Sequence, residues 1–261
     1  MELALLLFGV LLGATALGAY FGRRVRHLSD SLKEPFGILQ AALLGLVGLL
    51  LAFGLSLAVS RYENRRANVV SEANAIGTTY LRAQTLAEPM RTRSLDLLVR
   101  YTKTAVRVAD HVPGSDEVRQ ARAAEERIER RLWAQAGVAL ERAPLASAPR
   151  LYVESLNEMI DGEAARVAAL SNRVPTAVLV LEVLGSAVAL GLLAAYLTLV
   201  GRGEIAVVLA SGLVAFLLLV TADLDRPTRG MIRVPDKVLT DQLASMTEPP
   251  AAAAPRPPPG G

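Results

Sequence analysis

The stretch FGILQAALLGLVGLLLAFGLSLAVSRYENRR, residues 36–66, decides the fold of this chain. Its first part, Phe36–Val59, is apolar except for Gln40, and a helix of roughly 20 such residues crosses the core of a bilayer. Arg61, Arg65 and Arg66 follow at once. This order is typical of a helix that leaves a membrane and continues in water.

Three further apolar runs have a similar length: Leu3–Phe21, Val183–Val200 and Ile205–Ala222. Two of the four runs precede a long charged stretch and two follow it. We therefore predict an all-α integral membrane protein, with four transmembrane helices in two pairs that flank a helical soluble domain.

The charged stretch between the two pairs of helices is predicted to form the soluble domain. Residues 61–173 hold 18 of the 28 basic and 15 of the 25 acidic residues, so the stretch is exposed to water and nearly balanced in charge. Its apolar residues recur at helical spacing, as in Val69, Ala73, Ile76 and Tyr80. With breaks at 111–116 and 143–149, the pattern predicts four helices, of which the first and last continue directly from membrane helices.

The predicted domain boundaries follow from these patterns. They are 1–60 for transmembrane helices 1 and 2, 61–173 for the soluble domain, 174–222 for transmembrane helices 3 and 4, 223–246 for a juxtamembrane segment, and 247–261 for a disordered tail rich in Pro, Ala and Gly.

The basic residues near the predicted membrane ends indicate the orientation. Eight lie on the side of the large domain: Arg61, Arg65, Arg66, Arg166, Arg173, Arg226, Arg229 and Arg233. Five lie on the other side: Arg23, Arg24, Arg26, Lys33 and Arg202. The positive-inside rule favours a cytoplasmic large domain in a bacterial inner membrane, although the first helix alone, with arginines at its far end, favours the opposite.

Composition excludes several function classes. The chain has no cysteine, its two histidines (His27 and His111) are far apart, and no phosphate-binding glycine loop precedes a helix. A net charge of +3 is too small to indicate nucleic acid as a partner. We therefore expect neither an enzyme nor a cofactor or metal protein.

The second apolar run permits two interpretations. Small residues lie along one face of it: Ala41, Gly45, Gly48, Ala52, Ser56 and Ser60. Such faces commonly let membrane helices pack closely. The alternative is that this helix lines a pore, with Leu46, Leu50, Phe53 and Leu57 forming a hydrophobic constriction.

Charged residues next to the apolar runs are also open to two interpretations. Arg61, Arg65 and Arg66 either anchor the helix with ordinary surface pairs or form a basic vestibule that concentrates anions. Asp223 and Asp225 supply too few oxygens for a calcium site, so a salt-bridged helix end is favoured. Glu182, the single acid in the third apolar segment, lies either at the interface or at a functional site.

Several separated motifs together carry a family resemblance. They are RYENRRANVVSEANAIG at 61–77, LNEMID at 156–161 with Arg166, RVP at 173–175, and DLDRP at 223–227 with Gly230. In this order they resemble the signature of the bacterial bestrophin-like membrane protein family, over about 36–239. The matching polar positions and prolines are Tyr62, Glu72, Asn74, Asn157, Asp161, Pro175, Asp223, Asp225, Arg226 and Pro227.

The resemblance implies an architecture and an activity. Bestrophins are pentameric chloride channels with two helices on each side of a cytosolic helical domain and a neck lined by hydrophobic residues of the second helix. It therefore implies a homo-oligomer in a lipid bilayer, with small inorganic anions as partners. The acidic calcium clasp of bestrophins is represented here only by Asp223 and Asp225, and we predict no metal site.

The leading hypothesis from the sequence is an oligomeric, chloride-selective channel. The alternative is a non-conducting membrane scaffold or sensor whose cytoplasmic helices bind a partner. A channel would place the second-helix stripe on a symmetry axis, whereas a scaffold would pack that stripe against helices one and three. A transporter with internal repeats is disfavoured, because the two helix pairs show no evident similarity to each other.

Overall fold

A computed structural model describes residues 2–25, 33–111, 114–201, 204–226, 232 and 234–252. In that part of the chain the regular structure is entirely helical, which confirms the all-α prediction. The helices are α1 (Glu2–Val25), α2 (Lys33–Ala83), α3 (Met90–Asp110), α4 (Asp116–Arg142), α5 (Ser147–Ser171), α6 (Thr176–Val200), α7 (Glu204–Leu224) and α8 (Lys237–Ser245).

Some residues used in the sequence analysis lie outside the described ranges: Arg26, His27, Arg202, Pro227, Arg229, Gly230 and Arg233. The chain divides into two compact units. The first comprises Met1–Arg61 and Arg173–Arg226, and the second comprises Tyr62–Asn172 and Pro227–Gly261. The assignment of these units to membrane and cytoplasm stays a prediction.

The first unit is apolar and contains the residues of α1, α6 and α7 together with the first part of α2. Within the described residues, four stretches are long and apolar enough to cross a membrane, and they lie within 6–25, 33–83, 147–200 and 205–224. The core of the unit is made of aliphatic residues: Leu7, Leu11, Val47, Leu51, Ala189, Leu190, Val214, Ala215 and Leu218.

Close backbone approach joins α1 to α6. A Cβ atom added at Gly18 would overlap the backbone of Gly191, and one added at Gly22 would approach the Cα of Ala195 to 3.0 Å. Helices in a bilayer gain much of their association energy from such contacts, because lipid tails are as apolar as leucine and no hydrophobic force draws the helices together. Glycine is therefore required on α1 where it meets α6.

The second unit is a bundle of the carboxyl-terminal part of α2 with α3, α4, α5 and α8. Its core contains Tyr101, Leu132, Tyr152, Leu156 and Met159, none of which is exposed. Burying a large apolar side chain stabilises a fold by about 1.5–3 kcal/mol. This core therefore supplies most of the packing energy of the unit.

Contacts within the second unit fix the start of α4 and the position of α8. Ser115 caps α4, because its Oγ accepts a hydrogen bond from the backbone N–H of Val118 at 3.3 Å. Ser115 lies in the break that the sequence predicted at 111–116. Leu239 of α8 is fully buried, and the Tyr80 hydroxyl donates to the carbonyl of Met246 at 3.0 Å. A helix that the sequence analysis did not identify thus completes the bundle.

The connection between α5 and α6 differs from the prediction. The last bundle helix ends at Ser171 and α6 begins at Thr176, so it does not run directly into the third membrane helix. Proline lacks an N–H and disfavours helical backbone at the residue before it, so Pro175 stops the helix here. By contrast, α2 is continuous over its whole length, as expected.

The beginning of the tail contacts the second unit. The backbone N–H of Ala252 donates to Oε1 of Gln84 at 2.9 Å, and Arg91 donates to the carbonyl of Ala252 at 3.2 Å. The expected disorder stays a prediction for residues 253–261, which lie outside the described residues.

Candidate functional site

One face of α2 within the first unit is open. Leu46 is 54% exposed, Leu49 53% and Phe53 64%, whereas Val47 and Leu51 on the other side are at most 4% exposed. An added Cβ atom at Gly45 or Gly48 would meet nothing within 4 Å. This face therefore has to be covered by lipid, by another copy of the chain, or by the contents of a pathway.

The predicted constriction residues lie on this open face or at its edge. Leu46 and Phe53 are exposed on it, whereas Leu50 and Leu57 are half-buried. Leu49 belongs to the same face but is absent from the predicted set. The signal was present in the sequence, since Leu49 lies three residues after Leu46 and four before Phe53.

The small residues of α2 are on the open face as well. Ala41, Ala52, Ser56 and Ser60 are exposed, as is Gly45. Within the described chain they do not pack against other helices, although small faces commonly do.

The three arginines after the apolar part of α2 have different environments. Arg66 is exposed and Arg61 is half-buried, whereas Arg65 is only 1% exposed. The Arg65 guanidinium donates to the carbonyls of Ala169 and Asn172 at 3.3 and 2.9 Å. These carbonyls lie at the end of α5, where helices leave backbone acceptors without intrahelical partners. Arg65 therefore acts as a carboxyl-terminal cap of α5.

A buried group of charges lies in the second unit. Arg166 of α5 forms an ion pair with Glu72 of α2 and lies 3.7 Å from a carboxylate oxygen of Glu125 of α4. All three side chains are at most 2% exposed. One guanidinium thus faces two carboxyl groups from two other helices, and the cluster has an excess of acid.

This excess of acid affects protonation. Burial raises the pKa of Glu125 to about 8, against the opposing attraction of Arg166. Burial likewise raises the pKa of Glu129, one turn further along α4, to about 7. The pKa of Glu72 is also raised by burial, although Arg166 opposes the shift. Desolvation exceeds the Coulombic attraction because a buried carboxylate loses its hydration.

The resemblance singled out Glu72 and Arg166 but not their common partner Glu125. Glu125 lies in the run AEERIER, whose charges resemble an ordinary solvated helix surface. Its position in the apolar face of α4, four residues after Ala121 and seven before Leu132, was the available signal.

The remaining family-pattern residues of the second unit are more peripheral. Asn74 and Asn157 are exposed and Tyr62 is half-buried. The side-chain amide of Asn157 donates to Asp161 at 3.1 Å, one turn further along α5. No described contact joins these residues to the buried charge cluster.

In the first unit, Asp225 holds the start of α6. Its Oδ1 accepts a hydrogen bond from the backbone N–H of Val174 at 2.7 Å, just before Pro175. Asp223 is half-buried and Arg226 is exposed. Among the described residues, no group of three acidic or histidine side chains is placed to hold a metal ion.

Comparison with known proteins identifies the family. A model of the bestrophin-like domain matches residues 6–239. The chain belongs to the bestrophin-like family. As a bestrophin-like protein with long apolar helices it is a membrane protein in contact with lipid. No curated protein matches the sequence.

Solved structures show the same fold. A bacterial bestrophin homologue from Klebsiella pneumoniae is 18% identical, with 94% of this chain and 97% of that chain covered and a TM-score of 0.63. Two of its variants match with 17% identity, 91% and 98% coverage and a TM-score of 0.64, and with 16% identity, 94% and 97% coverage and a TM-score of 0.66. At this identity the likeness concerns the fold of these bestrophin-like chains.

Proposed function

We propose that this bestrophin-like protein is a homo-oligomeric, anion-selective channel of a bacterial inner membrane. Its second unit would lie in the cytoplasm, and its four apolar helices would cross the bilayer in two pairs. Membership of the family supports the channel, and the open face of α2 carries the assignment of the pathway.

The open face of α2 bears on the choice between the two functional hypotheses. A scaffold would pack the stripe against neighbouring helices of its own chain, whereas a channel leaves it free to face a symmetry axis. In the described chain, Gly45 and Gly48 have no neighbour within Cβ contact distance, and Leu46 and Phe53 are more than half exposed. This exposure supports the channel.

The pathway would act as a hydrophobic constriction. Leu46, Leu49 and Phe53 from each copy would narrow it, with Leu50 and Leu57 behind them. Such a ring admits an ion that gives up part of its hydration, which favours large, weakly hydrated monovalent anions over small divalent ones. The small residues between the apolar side chains would let the copies of α2 approach one another.

The basic residues that follow would concentrate anions. Arg66 is exposed and Arg61 is half-buried, so the positive charge of both can attract anions from the surrounding solution. Arg65 contributes differently in this proposal, because its guanidinium is buried against the end of α5. We therefore assign the basic vestibule to Arg61 and Arg66.

The test is current through the purified protein in a planar bilayer under a chloride gradient. For an ideally chloride-selective channel the reversal potential shifts by about 59 mV for each tenfold gradient. Phe53→Ala should raise the single-channel conductance, and its matched control is Phe216→Ala, which shortens a side chain of α7 that is 62% exposed. Arg66→Glu should lower the permeability of anions relative to cations. Its control is Arg127→Glu, which changes an exposed arginine of α4 in the same way.

Two results would contradict the proposal. If a folded oligomer carries no current, the scaffold hypothesis replaces the channel. If current flows but both phenylalanine variants change it equally, the pathway is not on the open face of α2.

A further inference from the structure

The first unit contains a buried carboxyl group outside the proposed pathway. Glu182 lies on α6 within an otherwise apolar segment and is 2% exposed. Neither of its carboxyl oxygens has a hydrogen-bond partner within the described residues. The ionised form of the carboxyl group is strongly disfavoured in such surroundings, since nothing replaces its hydration.

The surroundings of Glu182 hold the carboxyl group closely. An added Cβ atom at Gly54 of α2 would overlap its Oε1. One turn away on α6, an added Cβ at Gly185 would lie 3.4 Å from Cγ2 of Val47, again on α2. The two helices thus pack directly against each other, and the absence of a side chain at Gly54 makes the space that the carboxyl group fills.

A second polar group lies on the same face of α6. Ser186 follows Glu182 by one helical turn, is fully buried, and its hydroxyl has no hydrogen-bond partner among the described residues. A protonated carboxyl group can exchange hydrogen bonds with a neighbouring hydroxyl as donor and as acceptor. Two orphaned buried polar groups at one place on an apolar helix point to a ligand that satisfies them.

Charged groups near the site are absent from the described residues. The α2 side presents Gly54 and apolar residues, α6 presents Ser186 and Gly185, and no ionisable side chain from any described element acts on the carboxyl group. No group of carboxylates gathers here for a metal ion either. A proton is the one ligand that neutralises this carboxyl group without a further donor set.

We propose that Glu182, with Ser186 and Gly54, is a proton-binding site whose occupancy sets the packing of α6 against α2. With the proton bound, the neutral carboxyl group packs against the Gly54 backbone. When the proton leaves, the carboxylate draws in water and separates the two helices at this point. Because the open face of α2 is our proposed pathway, conduction then depends on the proton; this last step rests on the proposed function.

The first experiment detects the proton chemically and needs no conduction. The reagent is dicyclohexylcarbodiimide, a hydrophobic carbodiimide. The O–H of a protonated carboxyl group adds across a C=N bond of the reagent, and the adduct rearranges to a stable N-acylurea. No group leaves, so the peptide gains the whole mass of the reagent. Mass spectrometry of the full chain in detergent micelles, after labelling at acidic, neutral and alkaline pH, should find the adduct on Glu182, decreasing as the pH rises.

Matched variants make the result specific. Glu182→Gln should abolish the adduct on this peptide, and Gly54→Ala should alter the pH midpoint of labelling, because its Cβ displaces the carboxyl group. Glu34, which is exposed at the start of α2, is the internal control and should label several-fold less. If Glu182 labels no more than Glu34 at any pH, the carboxyl group is ionised or paired, and the proposal is wrong.

The second experiment measures chloride efflux from liposomes as a function of pH. The wild-type rate should change several-fold across the labelling midpoint, whereas the rate of Glu182→Gln should be independent of pH over that range. Labelling without any efflux would support the proton site and contradict the channel. Efflux with the same pH dependence in both proteins would show that the site does not control conduction, which overturns the coupling.

Discussion

Replacement of Glu125 by glutamine should make the second unit more stable at alkaline pH. The Glu125 side chain is 1% exposed, and its nearest cation, Arg166, is 3.7 Å away and already paired with Glu72. Burial therefore raises the pKa of Glu125 to about 8. Glutamine has nearly the shape of the protonated acid and never acquires its charge.

The sign and size of the effect follow from linkage. Since the pKa is raised in the folded state, the folded chain binds more protons than the unfolded chain between the ordinary pKa of 4.5 and about 8. Its free energy of unfolding is greatest below this window and falls as the pH rises through it. At about 1.4 kcal/mol per pH unit, we expect a loss of about 3 kcal/mol between about pH 6 and about pH 9. Glu129, whose pKa is raised to about 7, contributes a further loss of stability at the lower pH values of this range.

The chain has a built-in probe for this measurement. Trp133 is the single tryptophan, and it lies on α4 two turns after Glu125. Guanidinium unfolding of the full chain in detergent, followed by Trp133 fluorescence at several pH values, reports on the helix that carries the titrating group. The control is Glu126→Gln, the next residue on α4, whose side chain is 67% exposed and pairs with Arg130 at 3.8 Å.

As the pH rises, the free energy of unfolding should fall equally in the wild type and in Glu126→Gln. In Glu125→Gln it should fall by less than half as much. If Glu125→Gln has the same slope as the wild type, Glu125 is ionised throughout, and the reasoning about desolvation is refuted. If it is less stable than the wild type at every pH, its ion pair with Arg166 outweighs the burial of its charge.

Three further predictions test the fold. Arg65→Ala should lower the free energy of unfolding by about 2–3 kcal/mol, because its charged hydrogen bonds to the carbonyls of Ala169 and Asn172 are lost, whereas Arg66→Ala should change it by less than about 0.5 kcal/mol; equal effects in the same guanidinium assay would contradict the capping role of Arg65. Glu126→Cys in this cysteine-free chain should react with an impermeant maleimide in inverted inner-membrane vesicles and not in intact spheroplasts, and the reverse pattern would invert the proposed orientation. Gly18→Leu should reduce the yield of folded protein by separating α1 from α6, and Gly13→Leu, at a position with nothing within 4 Å, should not; equal yields by size-exclusion chromatography would place the α1 contact elsewhere.

The sequence contained the information for the coarse fold because that information is local. Apolar length and helical spacing act within one helix, so Phe36–Val59 predicted a membrane segment and Val69, Ala73 and Ile76 a buried helix face. The cap at Ser115 was likewise predictable from its own segment. The α8 helix was missed because its nine residues carry one fully buried apolar side chain, Leu239, which is too little for a periodic signal.

The functional candidates depended on contacts between distant parts of the chain. The sequence placed three arginines together after the apolar part of α2, and only tertiary structure turned Arg65 inward, onto carbonyls more than a hundred residues away. The site at Glu182 depends on Gly54 in the same way. A glycine in an apolar run does not indicate which distant side chain occupies the space beside it.

Length, hydropathy and charge, which act along the chain, thus determined that this is an all-helical membrane protein with a charged helical bundle. Whether a given charge is solvated, paired or left with a proton was decided only by tertiary structure, because hydration is removed by residues that the sequence places far away. Arg166 lies beside Glu72 and Glu125 only because α5, α2 and α4 pack together in the folded chain.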